Sequence, residues 1–225
     1  MAANEYLNKS IIYAGSDIFS IPSLQRLLDL KYKKITVLTR PPKRQGRGMK
    51  VKNNPLAQFS SEQNIETLMP EDPNDGGFLE SLKEIKPVAL ITSAYGKMVS
   101  EALLDIFSSG NINIHPSLLP RWRGPSPIES AILEGDTETG VTLMQMTEEL
   151  DAGPIYAQQS IPLGEENTMR LSEKLSLLAA NMLEGFLPSF LGGFQVMKEQ
   201  DERCVTHSKI IKKEHARVDW NEHPK

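Results

Sequence analysis

The chain has 225 residues, 39% of them hydrophobic, one cysteine and a formal net charge of −4. That apolar content supports a sizeable core and argues against a disordered chain, and a lone Cys204 excludes an internal disulfide framework and suits a reducing compartment. No apolar run approaches the roughly 20 residues of a membrane span. The N-terminus MAANEYLNKS has neither a secretory core nor an Arg-rich presequence pattern, so a cytoplasmic, bacterial-type location is expected, or the mitochondrial matrix if a presequence has been removed.

In chain order, Ser10–Gly15 is a short apolar run ending in glycine, which predicts a buried strand. Residues 21–31 carry apolar side chains at 21, 24, 27, 28 and 30 with proline in the first turn, a helix pattern. Residues 35–39 are β-branched and strand-like. A Pro- and Gly-rich loop follows to about Asn54, holding Arg40, Lys43, Arg44, Arg47, Lys50 and Lys52 with no acid between Arg40 and Ser61. Although the net charge argues against a general nucleic-acid binder, local charge density governs phosphate contact. The alternative is a solvated basic loop. Residues 55–64 and 75–85 read as helices, 88–93 as a buried strand, 99–107 as a short helix and 111–115 as a strand.

Pro127–Glu134 reads as a helix closed by Gly135, and residues 140–146 and 155–161 as strands with no long helix between them, hence antiparallel. Residues 168–190 form a long amphipathic helix. The end from Cys204 to Lys225 is polar and predicted to be weakly structured. Alternating β and α runs joined by short links predict an α/β fold, a mostly parallel sheet with helices on both faces and antiparallel strands on its C-terminal side. Such sheets bind ligands at the carboxyl ends of their strands. Gly15-Ser16, Ala94-Tyr95-Gly96 and Asn113–Gly124 all fall there and are expected to converge.

The segment Asn113-Ile114-His115-Pro116-Ser117-Leu118-Leu119-Pro120-Arg121-Trp122-Arg123-Gly124 is the candidate site. Period two puts Asn113 and His115 on one face of a strand, an amide donor beside an imidazole that titrates near neutral pH. Asp151, in the tight Leu-Asp-Ala-Gly-Pro link between two strands, is the natural carboxylate partner, unless Glu148, Glu149 and Asp151 are simply a solvated turn. A serine nucleophile elbow is rejected because Ser126 has prolines on both sides and no second glycine. Dinucleotide binding is rejected because Gly15 stands alone and Thr39-Arg40 occupies the place of the ribose-binding acid. No metal site is predicted, since His115, His207, His215, His223 and Cys204 lack ligand spacing.

These residues, with Glu134–Met146 and Leu150-Asp151-Ala152-Gly153, resemble the folate-dependent formyltransferases, and among them most closely the methionyl-tRNA formyltransferases. The likeness runs from about Ile11 to Trp220. It implies a Rossmann-like formyltransferase fold and formyl transfer from 10-formyltetrahydrofolate to the amine of initiator methionyl-tRNA by a monomer without a metal or a membrane. The alternatives are another amine acceptor, such as an amino-sugar nucleotide or glycinamide ribotide, or a noncatalytic folate- or RNA-binding remnant.

The resemblance further implies Asn113, His115 and Asp151 as catalytic residues, and Ser117, Leu118, Leu119 and Pro120 with Tyr95 and Gly96 as the folate wall. It implies Arg40, Lys43, Arg44, Arg47 and Lys50 as the tRNA-binding set. Residues 1–203 would form the catalytic domain. Residues 204–225, including Val205-Thr206-His207 and Ala216–Trp220, would form a linker toward a C-terminal barrel outside this chain. Gly15-Ser16-Asp17 and Pro125-Ser126 depart from the family's usual Gly-Thr-Pro and paired alanines.

Overall fold

The opening β-α-β unit sets the frame. A computed structural model of the chain describes residues 5–45, 49–212 and 214. Strands β1 (Ser10–Gly15) and β2 (Lys34–Leu38) run parallel, with Ile11 opposite Ile35 and Tyr13 opposite Val37. Between them lies α1 (Ile21–Asp29), whose Leu24 and Leu27 are buried.

The chain then leaves the sheet at Arg40. Where the sequence predicts only a loop, it forms an antiparallel ribbon of β3 (Lys43–Gln45) and β4 (Lys50–Lys52). Lys43, Arg44, Lys50, Val51 and Lys52 are all exposed, so no face is buried and no alternation of apolar and polar residues marks the strands. Asn54 closes the ribbon's base. Its Nδ2 donates to the Arg40 carbonyl at 2.9 Å, and its Oδ1 accepts from the Thr39 hydroxyl at 3.1 Å. The same Oδ1 caps α2 (Pro55–Glu62) by accepting from the Ala57 N–H at 3.0 Å.

There follow β5 (Thr67–Leu68), α3 (Gly76–Glu84), β6 (Ala89–Ser93), α4 (Glu101–Leu104), β7 (Asn111–His115), α5 (Pro127–Leu133), β8 (Glu138–Met144), β9 (Ile155–Pro162) and α6 (Thr168–Leu191). The main sheet has the order β5-β2-β1-β6-β7-β8-β9. The pairs from β5 to β7 are parallel; β8 is antiparallel to both β7 and β9. The order reverses at β1, which lies between β2 and β6, and a crevice opens there at the carboxyl ends of the strands. Helix α4 is shorter than the predicted 99–107, but Val99 and Phe107 are still buried against the sheet from the turns flanking it.

Period two divides the core. Ile11, Tyr13, Ile91, Ile112 and Ile114 pack with α1 and α6, including Leu24, Leu175, Leu183 and Phe190. Ile12, Ala14, Leu38 and Leu90 face the other way, toward Leu82 and Leu103 of α3 and α4. Among the described residues no helix is long and apolar enough to cross a membrane.

The end of the chain differs from expectation in its first part. Residues 205–208 are not loose. Thr206 accepts from the Arg123 N–H at 2.9 Å and donates its own N–H to Pro120 at 3.3 Å, while the Ser208 N–H donates to the Arg123 carbonyl at 2.7 Å. The Thr206 and Ser208 hydroxyls add to this backbone pairing by accepting from the Trp122 and Ser126 N–H groups at 2.9 and 3.0 Å. Residues 215–225, including Ala216–Trp220 of the expected linker, lie outside the described residues.

Candidate active site

Strand β7 has one apolar and one polar face. Ile112 and Ile114 enter the core under α1 and α6, so Asn111, Asn113 and His115 must share the opposite face. Each of the three fastens part of the overlying loops. Asn111 Oδ1 accepts from the Met146 N–H at 2.5 Å. Asn113 Nδ2 donates to Asp151 Oδ1 at 3.3 Å. His115 Nε2 is 2.9 Å from the Trp122 carbonyl, which can only accept, so Nε2 carries a proton. Its Nδ1 lies 3.6 Å from Asp151 Oδ2, beyond a formed hydrogen bond. Asp151 Oδ2 also accepts from the Gly124 N–H at 2.8 Å. The imidazole and the carboxylate are both buried, with side chains 6% and 9% exposed. The three residues expected to be catalytic therefore meet around one carboxylate, and the solvated-turn alternative for Asp151 does not hold.

The loop between β7 and α5 is shaped to deliver these contacts. Trp122 has φ 67°, which turns its carbonyl onto His115. Its indole N–H donates to Asp136 at 2.8 Å, and Arg121 adds a two-pronged contact to the same carboxylate at 2.9 and 2.6 Å while stacking 4.3 Å from the Trp122 ring. The Arg121 hydrogen bond, with help from Trp122, holds the Asp136 carboxyl below the usual carboxylate range. Gly124 has φ 113°, and a Cβ there would stand 2.9 Å from the Ser208 carbonyl. Only glycine fits this turn that presents its N–H to Asp151.

Beside the three residues opens a cleft of about 580 Å³. One wall comes from the end of β6, Ala94–Val99, and from the loop Met144–Asp151; the other comes from Asp17, Phe19, Pro125–Glu129 and the start of α6. Tyr95, Gly96 and Arg40 line it. The Ser16 hydroxyl donates to the Tyr95 carbonyl at 3.1 Å and accepts from the Arg40 N–H at 3.3 Å. The three segments predicted to converge do so here. The Arg40 guanidinium stands 3.3 Å from where a Cβ of Gly96 would be. Two hydroxyls among the lining residues, on Thr92 and Tyr95, are buried without a partner, and burial raises the Tyr95 phenol well above its ordinary pKa. Thr92 neighbours Asn113 across the β6–β7 pair.

Ser117, Leu118, Leu119 and Pro120, expected as the folate wall, do not line this cleft. The Ser117 hydroxyl donates to the Arg121 carbonyl at 2.6 Å, and the Thr142 hydroxyl donates to the Ser117 carbonyl at 2.6 Å. The Leu119 N–H reaches Thr142 and its carbonyl accepts from Gln158 at 2.7 Å. Leu118 borders a separate groove, and Pro120 meets Thr206. The apolar side chains turn toward β8 and β9, so the segment braces the site from behind. Lys43, Arg44 and Lys50 lie on the exposed β3–β4 ribbon and do not line the cleft. Arg47 lies outside the described residues.

The sequence reading missed several groups. The Trp122 carbonyl and the Gly124 N–H are backbone groups with no side-chain signature. Asn111 carried a signal, since it shares the alternation of Asn113 and His115. Gln200, 8% exposed, joins the site from a distant segment, where it meets Arg123, a 2% exposed member of the candidate segment to which the sequence assigned no role.

Comparison with known proteins agrees with this geometry. The family model for formyl transferase matches residues 13–184. The methionyl-tRNA formyltransferase of Caldanaerobacter subterraneus subsp. tengcongensis is 37% identical over 212 residues, covering 93% of this chain and 69% of that one. That of Geotalea daltonii is 35% identical, covering 96% and 69%. A sugar N-formyltransferase from Shewanella superposes with a TM-score of 0.73 at 16% identity, over 96% of this chain and 83% of that one. Glycinamide ribonucleotide transformylase 1 from Symbiobacterium toebii gives 0.68 at 20%, over 87% and 95%. These distant structures show the shared fold. The chain belongs to the methionyl-tRNA formyltransferase family of formyl transferases.

Proposed function

We propose that the chain transfers the formyl group of 10-formyltetrahydrofolate to the α-amine of initiator methionyl-tRNA. The observation that carries this reading is the meeting of Asn113, His115 and Asp151 around one buried carboxylate at the edge of the cleft. The amine attacks the formyl carbon, and negative charge develops on the formyl oxygen. Asn113 has two N–H groups and Asp151 uses one of them, which leaves one for that oxygen. In the imidazolium form, with both ring nitrogens protonated, His115 Nδ1 adds a second donor from the other side of the carboxylate. A donor so placed is worth about 3 kcal/mol in the transition state. Asp151 receives the proton released by the amine, directly or through one water, in the 3.6 Å gap it shares with His115. As the bond from carbon to N10 breaks, N10 takes up a proton and the formyl group stays on the amine.

The folate donor fits the wall of Tyr95–Val99 and Met144–Leu150, where apolar side chains predominate. One solved relative of the fold, HypX from Aquifex aeolicus, is described in complex with tetrahydrofolic acid, with a TM-score of 0.71 at 18% identity over 96% of this chain and 32% of that one. The β3–β4 ribbon with Lys43, Arg44 and Lys50 would grip tRNA phosphates, and Arg40 would meet the acceptor end where it enters the cleft. The test is a formylation assay offering methionyl initiator tRNA, an amino-sugar nucleotide and glycinamide ribotide in parallel. Transfer to the tRNA alone supports the reading, whereas turnover confined to either small amine would replace it.

A further inference from the structure

Asp151 has a left-handed backbone, with φ 53°. This conformation is disfavoured for a residue with a Cβ, so something outside the loop must hold it. The hydrogen bonds identify the holder. Gln200 Nε2 donates to the carbonyls of Asp151 and Gly153, both at 2.8 Å, bridging the two sides of the turn. Gln200 Oε1 accepts from Arg123 Nε at 3.0 Å. A guanidinium only donates and a carbonyl only accepts, so the amide has a single workable orientation. Arg123 in turn donates to Glu202 through Nη2 at 2.7 Å and Nη1 at 3.4 Å. Its main chain pairs with Thr206 and Ser208. The segment carrying Gln200 is set in place by two backbone hydrogen bonds between Ile155 and Lys198, at 2.8 and 2.9 Å. Arg123 also precedes Gly124, whose N–H holds the Asp151 carboxylate. The two grips on Asp151, one on its backbone and one on its side chain, are therefore joined through a single buried arginine.

We propose that Gln200, oriented by Arg123, is the positioning residue that fixes Asp151 against Asn113 and His115. This rests on the formyl-transfer reading, and it adds a residue from the segment after α6 to the machinery of β7 and its loops. Gln200→Glu is the decisive variant. It keeps the size of the side chain, but an ionised carboxylate cannot donate to two carbonyls and pairs instead with Arg123. The expected result is a fall in kcat of about 10–100-fold, the scale of a displacement near 1 Å, with both KM values within about threefold of wild type, and with Tm lowered because two carbonyls lose their donor but the fold retained by circular dichroism.

A role through Asp151 also predicts non-additivity. In an Asp151→Asn background, Gln200→Glu should cost less than about threefold further. Hydrogen–deuterium exchange should quicken in the peptide covering 147–154 and not elsewhere. The proposal is overturned by an unchanged kcat, by an equal loss in both backgrounds, or by unaltered exchange at 147–154. If the wild-type protein fails to formylate methionyl-tRNA, the proposed reaction falls, and the exchange experiment still decides whether Gln200 holds the loop.

Discussion

Asp151 serves three donors with one carboxylate: the Asn113 amide, the Gly124 N–H and, across a gap, the His115 ring. Replacing it with asparagine preserves its size while removing the charge and the proton acceptor. We expect Asn113→Ala and His115→Ala to lower kcat by about 10²–10³-fold, as loss of a transition-state donor does, with the folded structure retained by circular dichroism. Asp136 allows a stability test away from the cleft. Its carboxyl is held below its ordinary value of 3.8, chiefly by the Arg121 hydrogen bond. A depressed folded-state pKa contributes stability that is present above the unfolded value and is lost as pH falls through the folded one. Asp136→Asn should therefore lower Tm at pH 7, and the gap to wild type should close as pH drops below 3.8. At this scale the sequence was legible where side chains carry the chemistry. Asn113 and His115 follow from period two, and Asp151 from its acidic tight link. The Trp122 carbonyl, the Gly124 N–H and Gln200 were not legible, because backbone groups and residues distant in the chain leave no local pattern.

Most elements were legible from periodicity, since β1, β6, β7 and α6 each bury a regular apolar face. The exceptions share one physical cause: backbone pairing without an apolar face to mark it. The β3–β4 ribbon is exposed on both sides, β5 is only Thr67–Leu68, and residues 205–208 join the loop at 120–126 through main-chain bonds and the Thr206 and Ser208 hydroxyls. The Ser117–Pro120 segment, which the resemblance implies as a folate wall, is anchored to Thr142 and Gln158 and does not line the cleft. The ribbon's anchorage is testable through Asn54, which caps α2 and ties Arg40 to Thr39. Asn54→Ala should cost about 1 kcal/mol of stability through the lost cap. It should also raise KM for tRNA while leaving KM for folate near wild type, measured by urea unfolding and steady-state kinetics.

The molecule as a whole carries a net charge of −4, yet its β3–β4 ribbon gathers Lys43, Arg44, Lys50 and Lys52. Segregating charge in this way lets an acidic protein meet a polyanion at one surface. Arg44→Ala should weaken use of tRNA in a salt-dependent manner, reducing the slope of log kcat/KM against log salt by about 1. Folate binding, measured by titration with a folate analogue, should not change. The sheet order explains why the site forms where it does. The reversal at β1 opens the crevice, β7 supplies the polar face at its floor, and the antiparallel β8–β9 pair returns the Asp151 loop over that face. The most direct test of the central claim is a single-turnover measurement of labelled formyl transfer from 10-formyltetrahydrofolate to methionyl initiator tRNA, comparing wild type with Asp151→Asn. The account predicts rapid transfer by the wild type and a loss of about 10²-fold or more in the variant, with folate-analogue affinity preserved. Equal rates in the two proteins, or no transfer by the wild type, would contradict it.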